Sequence, residues 1–391
     1  MAFYFCQHLF VVVVWVQTKT TLKMKTEELE LLIKNGTGVL PNQALDVLKD
    51  LGFIKNSNIK SGPASLDITL ADEIYEIDRV MLPRKNETVL DLIKGGMNGR
   101  KFNSNKLDTG KLYMIAHSEN LRLPSSLYGY ANPKSTTGRN FSHTRMIADF
   151  VDMFDHLPRE HRGRIWSLVQ PKTWPITFEP NKDPLNQLRI FVRDSRVSEF
   201  KLMSLQQTQS IMRSNKGDEL DARREFIRGG DHGYLLFSLD CESVVCGYVA
   251  KENSNPVPIG KSNSCKAVDY FEPIKGVGYI DLEPGRFYIL SSVERVQMPD
   301  NYAGEVKAID ERLGEFRSHL AGFFDPGFGK NQRGNNITLE VYVQEKMRVR
   351  HGQLFCSLHL EKMACLPGSD YAQITGNYKS QHGPTLARNF C

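Results

Sequence analysis

A short polar segment in the first half of the chain has the composition of an anion-binding loop. Asn132-Pro-Lys-Ser-Thr-Thr-Gly-Arg139 places a lysine, three hydroxyl side chains, a glycine and an arginine within six residues, Lys134 to Arg139. Hydroxyls, loop amides and a guanidinium fork are groups that bind phosphate oxygens. Because solvated surface turns have a similar composition, this segment alone does not separate phosphate binding from an ordinary polar turn.

A carboxylate lies in the middle of an alternating segment near the end of the chain. The segment from residue 336 to residue 343 has a period of two, which predicts a strand. One face would carry Ile337, Leu339, Val341 and Val343, and the other Thr338, Glu340 and Tyr342. Glu340 is therefore either a solvent-facing strand residue or the wall of a pocket, where partial burial would raise its pKa toward a general-base value.

Two further segments carry polar groups that ordinary structure also explains. Asp325-Pro-Gly327, shortly after Ala321, is a good β-turn sequence. The tail contains Tyr371 and the segment Asn377-Tyr-Lys-Ser-Gln-His-Gly383. That tail is either a mobile polar terminus or a flap that closes over a ligand and contacts it through Lys379 and Gln381.

Taken in order, these segments resemble the motifs of the dCTP deaminase family of the dUTPase-like superfamily. The opening is similar too, with Gly38-Val-Leu-Pro41 followed by Pro63-Ala-Ser-Leu-Asp67. Pro124-Ser-Ser-Leu-Tyr-Gly129 then precedes the polar loop. The resemblance covers most of residues 37–391 and consists of five or six motifs in sequence.

The resemblance implies a set of site residues. It makes Glu340 the catalytic base and assigns Arg139, Ser135 and Ala321 to catalysis, with the Ala321 carbonyl helping to hold the reacting water. It implies that the substrate is bound by Lys134, Ser135, Thr136, Thr137, Gly138, Arg139, Asp325, Thr338, Leu339, Glu340, Tyr371, Lys379 and Gln381. Lys134 stands where the family has arginine, and Lys379 would replace a family lysine near Asn377. No protein metal ligand and no zinc are implied, and Mg²⁺ would bind through the triphosphate.

The chain also contains an internal repeat. Glu119, Pro124 and Gly129 match Glu294, Pro299 and Gly304 at a constant offset of 175 residues. Ala148–Asp152 matches Ala321–Asp325, and Ser65–Asp67 matches Ser238–Asp240, at offsets of 173. Ordered matches at nearly the same offset indicate a duplicated domain. We expect a leader and helix over 1–36, repeat 1 over 37–190 with the phosphate loop, and repeat 2 over 191–391 with Glu340 and the tail.

The two repeats differ at the motifs that carry chemistry. An alignment anchored on Pro175 puts Ser167 where repeat 1 should have the glutamate. Repeat 2 has Ala308-Ile-Asp-Glu311 before Arg312, and two carboxylates there would repel a triphosphate. Repeat 1 thus keeps the loop and repeat 2 keeps the base. The sequence predicts one working site per chain, and it leaves open whether the two halves come from one chain or two.

Short runs of Val, Ile, Tyr and Phe between Gly, Pro, Asn and Asp turns predict a mainly β protein. By the resemblance, each repeat is a distorted β-barrel domain like that of dUTPase, with a few helices. Each repeat would open with a helix, over Pro41–Leu51 and Val197–Arg213. Residues 214–231 and 253–266 have the polar composition of loops.

Composition limits the class of protein. A net charge of +5 over 391 residues is too small to suggest nucleic acid binding. Seven scattered cysteines without a C-x-x-C pair favour a reduced, cytoplasmic compartment over a disulfide scaffold. The apolar run of residues 9–16 is too short to span a bilayer. We interpret residues 1–23 as a disordered leader or an upstream reading-frame extension, and we expect no membrane partner.

The resemblance implies hydrolytic deamination of dCTP to dUTP and ammonia, in the route to dUTP and dTTP. A dUTP diphosphatase or a bifunctional enzyme that forms dUMP remains open. So does a non-catalytic nucleotide-binding homologue, because Ser167 and Lys134 depart from the family pattern. The partner would be dCTP, with dUTP or dTTP left open as further ligands, and the chain would form a homo-oligomer, a trimer or a multiple of one.

Overall fold

The structure, a computed structural model, describes residues 24–221, 226–309, 316–317, 321–330, 333–374, 378–379 and 381–391. The predictions for residues 1–23, for Asp310, Glu311 and Arg312, and for Asn377 lie outside the described residues. No helix in the described ranges is both long and apolar enough to cross a membrane.

The prediction of a mainly β fold is confirmed. The helices are short: α1 Thr26–Asn35, α2 Asn42–Asp50, α3 Val89–Lys94, α4 Ser135–Arg139, α5 Glu199–Gln209 and α6 Ala267–Tyr270, with one 3₁₀ turn at Gly230–His232. The strands of the first half are β1 Ile54–Lys55, β2 Leu66–Ile77, β3 Arg100–Lys101, β4 Lys106–Leu107, β5 Leu112–His117, β6 Asn120–Arg122, β7 Tyr128–Pro133, β8 Ser142–Ala148, β9 His156–Leu157, β10 Arg162–Gly163, β11 Ile165–Pro171, β12 Ile176–Thr177 and β13 Pro184–Phe191.

The second half repeats this pattern. Its strands are β14 Met212–Arg213, β15 Ile227–Arg228, β16 Tyr234–Ser238, β17 Gly247–Ala250, β18 Val257–Pro258, β19 Phe271–Ile274, β20 Tyr279–Leu282, β21 Phe287–Val296, β22 Tyr302–Ala308, β23 Phe316–Arg317, β24 Phe323–Phe324, β25 Asn335–Val343, β26 Met347–Arg350 and β27 Leu354–Lys362. The helix predicted over Val197–Arg213 ends early, because Ser210 turns into the left-handed region at φ 48° and β14 follows.

Each half has its own sheets and its own apolar interior. In the first half an eight-stranded sheet runs β8-β11-β5-β2-β13-β7-β9, with β3 on β2. In the second half, β19-β17-β21-β25-β23 and β15-β16-β27-β22-β24 form two sheets around a common core. A small sheet joins the halves, because β12 pairs in parallel with β18.

Equivalent contacts support the duplication. The Tyr113 hydroxyl accepts a hydrogen bond from the backbone amide five residues upstream, and Tyr288, 175 residues later, does the same. Glu119 accepts from the amide and hydroxyl of Thr69, and Glu294 accepts from those of Ser238. Thr69 therefore corresponds to Ser238. The sequence match that paired Ser65–Asp67 with Ser238–Asp240 was four residues out of register.

The predicted alternation of β25 is confirmed. Ile337, Leu339, Val341 and Val343 all lie in the core of the second half. The opposite face does not meet solvent, because the first half covers it: the Phe141 ring stacks on Phe287 with centroids 4.5 Å apart and also contacts Tyr342. Glu340 is consequently only 1% exposed.

A buried arginine also joins the halves. Arg189 of β13 is fully buried and pairs with Glu305 of β22 at 3.1 Å and with Glu361 of β27. Its guanidinium also donates to the Asn132 side chain. A buried cation that neutralises two carboxylates holds these strands together, since breaking such a group leaves an uncompensated charge.

Candidate active site

The polar loop of the first half folds into helix α4. Lys134 is the N-cap with extended backbone, and the Gly138 amide donates to its carbonyl at 3.0 Å. The Thr137 hydroxyl donates to the Leu185 carbonyl at 2.9 Å, which ties α4 to β13. Thr137 is therefore a structural anchor whose side chain points away from the open side of the loop.

Glu340 of the second half lies directly behind this helix. Its Oε2 accepts a hydrogen bond of 2.7 Å from the Ala321 amide. A Cβ added to Gly138 would lie 2.5 Å from the carboxyl carbon of Glu340, so only glycine fits there. Two residues before Glu340 on the same face of β25, the buried Thr338 hydroxyl has no hydrogen-bond partner among the described residues. The structure thus joins the predicted loop and the predicted base within one chain.

A cavity of about 600 Å³ opens on the other side of α4. Both halves line it. The first half contributes Lys60, Ser61, Asp67, Lys134, Ser135, Thr136, Arg139 and Gln187, and the second contributes Phe324, Asp325, Phe328, Tyr371, Tyr378 and Arg388. Cations and hydroxyls from α4 thus face two phenylalanine and two tyrosine side chains across a space large enough for a nucleotide.

Arg139 is held by the C-terminal tail. Its two terminal nitrogens donate to the Thr385 carbonyl at 3.0 Å and to Gln381 Oε1 at 2.8 Å. Its guanidinium stacks on the Tyr378 ring at 3.8 Å from the centroid, and the Tyr378 hydroxyl lies 3.1 Å from Thr136 Oγ1. The described parts of the tail are therefore packed on the loop, as the flap interpretation requires, instead of projecting as a free terminus.

Two carboxylates line the cavity beside these cations. Asp67 forms an ion pair with Lys134. Asp325 Oδ1 accepts from the Ala64 amide at 3.2 Å. Burial, with a contribution from the negative charge of Asp67, raises the pKa of Asp325 to about 7. Near neutral pH, Asp325 is therefore partly protonated and offers either a donor or an acceptor to a bound molecule.

Seven of the thirteen predicted substrate-binding residues do not line the cavity: Thr137, Gly138, Thr338, Leu339, Glu340, Lys379 and Gln381. Leu339 points into the core of the second half, because neighbouring strand residues face opposite ways. Lys379 donates to the Ala372 carbonyl at 2.9 Å. Thr137 is 2% exposed and bonded to Leu185, as described above. The role of these residues in substrate binding stays a prediction.

The prediction that Ser167 replaces the catalytic glutamate is wrong by one residue. In the ladder between β25 and β21, Glu340 faces Ile289. In the equivalent ladder between β11 and β5, Leu168 faces Met114, which precedes Ile289 by the same 175 residues. Ser167 points inward, where its hydroxyl lies 2.8 Å from His117 Nε2. The alignment on Pro175 failed because strand register is set by pairing and not by the residue that ends the strand.

The first half has closed its own copy of the face that carries Glu340 in the second half. Leu168 and Trp166 are packed under α3, whose Val89, Leu92 and Ile93 belong to the same buried cluster. All core residues of that cluster come from the first half. The corresponding face of the second half is covered instead by α4 and Phe141 of its neighbour. The site equivalent to Glu340 is therefore filled by apolar side chains.

Several lining residues were not predicted as site residues. Tyr378 and the aromatic pair Phe324 and Phe328 have no sequence signal that separates them from core residues. Asp67 lies in the Pro63–Asp67 segment that contributes to the family resemblance, so its position could have been assigned from that motif. Within the described part of the chain, no group of three His, Cys, Asp or Glu side chains is placed to hold a metal ion.

The raised pKa of Asp325 has a measurable consequence for stability. An unfolded Asp ionises near pH 3.9, whereas folded Asp325 keeps its proton up to about pH 7. Between these values the folded state binds the extra proton, so the contribution of Asp325 to stability falls as pH rises. Asp325→Asn cannot ionise, and we expect its free energy of unfolding to rise relative to wild type by on the order of 1–3 kcal/mol between pH 5 and pH 8.

Urea unfolding of both proteins at the two pH values measures this difference. Asp50→Asn, at an exposed residue at the end of α2, is the control, and its difference from wild type should stay constant. A difference between Asp325→Asn and wild type that does not change with pH would show that the carboxyl of Asp325 ionises normally.

Two family models match the chain over adjacent ranges. The N-terminal domain of 2'-deoxycytidine 5'-triphosphate deaminase matches residues 36–194, and the C-terminal domain of the same enzyme matches residues 198–390. With the barrel-like halves and the paired motifs described above, these matches show that the chain belongs to the dCTP deaminase family.

Individual relatives agree with this assignment. A solved structure of 2'-deoxycytidine 5'-triphosphate deaminase from Agrobacterium tumefaciens is similar with a TM-score of 0.76 and 29% identity, over 85% of this chain and 97% of that one. A protein of Mycolicibacterium gilvum named "dCTP deaminase, dUMP-forming" is 34% identical over 30% of this chain and 63% of its own length. One with the same name from Streptomyces avermitilis is 36% identical over 28% of this chain and 58% of its own length. The chain thus spans less than two thirds of these curated relatives.

Proposed function

We propose that this protein deaminates dCTP hydrolytically: dCTP and water give dUTP and ammonia. One observation carries the proposal beyond family membership. The phosphate-type loop at α4 and the Glu340 carboxylate, which come from different halves, meet within one chain. The second possible pairing has apolar residues where the base would be.

The proposed chemistry begins with Glu340 as general base. Glu340 removes a proton from water, and the resulting hydroxide attacks C4 of the cytosine ring while N3 takes up the proton. The proton of the new C4 hydroxyl, relayed through the same carboxyl group, then goes to the amino group, so that the C4–N bond breaks, ammonia leaves and the C4 carbonyl forms. The Thr338 hydroxyl, which has no hydrogen-bond partner among the described residues, and the Ala321 backbone lie beside the carboxylate and suit the binding of the reacting water.

Binding must bring the cytosine past the present wall of the cavity. Ser135, Thr136 and Arg139 line the cavity, whereas Glu340 lies behind Gly138 and is 1% exposed. We therefore infer that nucleotide binding shifts the tail while α4 keeps its contact with Glu340, with Arg139 exchanging its bonds to Gln381 and Thr385 for bonds to the substrate. In that arrangement, Ser135 and Arg139 would stabilise the negative charge of the tetrahedral intermediate and of the phosphates.

The triphosphate needs further positive charge. Lys134 is already paired with Asp67, and Asp325 adds a partly ionised carboxyl to the same wall. Mg²⁺ bound to the phosphate oxygens would reduce the charge of the nucleotide before it enters this cavity. The ion would be held by the nucleotide, and no step of the deamination depends on a metal ligand from the chain.

Incubation with dCTP and Mg²⁺, followed by detection of ammonia and separation of the nucleotides, tests the proposal. We expect ammonia and a deaminated nucleotide in equal amounts. Tight nucleotide binding without ammonia would instead establish a non-catalytic binding protein and overturn the proposal.

A second candidate is formation of dUMP, which the names of the curated relatives favour. The deamination step would be the same, and a second water would then cleave the bond between the α- and β-phosphates. Product analysis separates the two: dUTP as sole nucleotide product supports the first candidate, and dUMP with pyrophosphate supports the second. A dUTP diphosphatase without deaminase activity would convert added dUTP and leave dCTP unchanged.

Arg139→Ala should impair both nucleotide affinity and turnover. The variant loses a charge-assisted contact and the group stacked on Tyr378, and we expect kcat/KM to fall about 100-fold. Arg162→Ala, at an exposed residue of the first half, is the matched control. Arg312→Ala, at the corresponding motif of the second half, should cost much less. Equal losses from Arg139→Ala and Arg312→Ala would show that α4 is not the working loop.

A further inference from the structure

The last four residues, Arg388–Cys391, form a C-terminal strap that is bonded along its whole length to a loop of the second half. The Asn389 carbonyl accepts from the amides of Ser264 and Cys265 at 2.8 and 2.9 Å. The Cys391 amide donates to the Cys265 carbonyl at 3.0 Å, and the Ala267 amide donates to the Cys391 carbonyl at 2.9 Å. The strap is therefore a fixed element of the fold.

The ring of Phe390 ties the strap to both halves. It packs against Phe271 and Tyr270 of the second half, with centroids 5.1 and 5.3 Å away. It also packs edge-on against Trp174 of the first half at 6.0 Å. The strap thus ends where the two halves meet.

Between these anchors, the Asn389 side chain reaches the catalytic loop. It is fully buried, and its Nδ2 donates to the carbonyls of Pro258 and Lys261 at 2.8 and 2.9 Å. Its Oδ1 accepts from Asn140 Nδ2 at 2.8 Å, and Asn140 also donates to the Thr136 carbonyl at 2.9 Å. Asn140 is the C-cap of α4. Two hydrogen bonds in series, from Asn389 to Asn140 and from Asn140 to the Thr136 carbonyl, therefore link the strap to the backbone of the helix.

A second route runs through Tyr378. Its hydroxyl accepts from the Arg388 amide at 3.3 Å and lies 3.1 Å from Thr136 Oγ1. Its ring lies under the Arg139 guanidinium. Both routes start from consecutive strap residues and end on α4.

We propose that Asn389 is a positioning residue for α4. A helix of five residues is too short to be stable by itself, so its geometry depends on bonds from outside. The Asn389 amide would hold α4 at the place where Gly138 contacts Glu340 and Arg139 faces the cavity. The effect on turnover rests on the proposed deaminase function, whereas the effect on α4 itself does not.

The test is Asn389→Ala, with Cys391→Ser at the exposed chain end as matched control. Hydrogen exchange of the amides of residues 135–140 should speed up at least tenfold in Asn389→Ala, while the strands of both cores exchange as in wild type. The Kd for inorganic tripolyphosphate should rise at least fivefold, and turnover of dCTP should fall at least tenfold. Cys391→Ser should leave all three unchanged.

Unchanged exchange at residues 135–140 would overturn the proposal. A uniform increase over the whole chain would overturn it too, since that result shows a role in global stability only. Exchange needs no substrate, so a wild-type protein that does not deaminate dCTP would refute the proposed function and leave this test valid.

Asn140→Ala removes the same contact from the other side and serves if Asn389→Ala does not fold. In tripolyphosphate affinity, the double variant should lose less than the two single losses combined, because both variants remove the bond between Asn140 and Asn389. Additive losses in tripolyphosphate affinity would show that the two side chains act independently.

Discussion

Glu340→Gln should lower the rate of dCTP deamination by about 10²–10⁴-fold, the usual contribution of general acid–base catalysis. The amide has the shape of the carboxylate, and its oxygen can still accept from the Ala321 amide, which now bonds Oε2 at 2.7 Å. The fold and the affinity for dCTP should therefore change little. Steady-state kinetics gives the rate, and titration calorimetry of the variant should give a Kd close to the KM of the wild type and one nucleotide per chain.

Glu345→Gln, at an exposed residue of the connection between β25 and β26, is the control and should retain full activity. If Glu340→Gln keeps more than about a tenth of the wild-type rate, another group supplies the base and the assignment is wrong. A stoichiometry of two nucleotides per chain would show that the face around Leu168 and Trp166 is not closed as the structure indicates.

Gly138→Ala should be almost as damaging, although it adds only one methyl group. The added Cβ would lie 2.5 Å from the Glu340 carboxyl carbon, well inside van der Waals contact. Glu340 is buried and bonded to Ala321, so the strain would displace the carboxylate, α4 or both. A displacement of about 1 Å at the reacting groups costs on the order of 100-fold in rate, and we expect at least that loss in kcat.

Gly368→Ala is the matched control, because its Cβ would meet Gln43 at an ordinary contact distance of 3.4 Å. Thermal unfolding of both variants separates local displacement from loss of the fold, and Gly138→Ala should remain folded. Wild-type kcat in Gly138→Ala would mean that α4 and Glu340 are not in contact in the working enzyme.

Strand β25 shows what the sequence could predict and what it could not. A period of two identified the strand and the face that carries Glu340, because alternation is a local property of the chain. It could not show that Glu340 is buried, since the covering residue Phe141 lies about 200 positions away in the other half. The order of the motifs led us to expect the first half beside Glu340 only through the resemblance to a family whose active sites lie between domains.

The errors have physical causes of the same kind. Ser167 was chosen by counting back from a proline, whereas Leu168 holds the equivalent place because β11 pairs with β5 in a register that no local pattern reveals. Lys379 was chosen for its charge near a family lysine, and its role stays a prediction, with its ammonium group bonded here to the Ala372 carbonyl. Tyr378 was passed over because a tyrosine in a polar tail gives no sign that it lies beneath an arginine.

The central claim is that one working site per chain is built from both halves of the same chain. Co-expression of Glu340→Gln chains with Arg139→Ala chains, followed by purification of the mixed assembly through a different tag on each chain, tests it most directly. Each chain would carry one broken half of its only site, so we predict no activity above the sum of the two variants measured separately. Recovery of a substantial fraction of wild-type activity, up to about a quarter for random pairing, would show that the Lys134–Arg139 loop of one chain works with Glu340 of another, and would contradict the account.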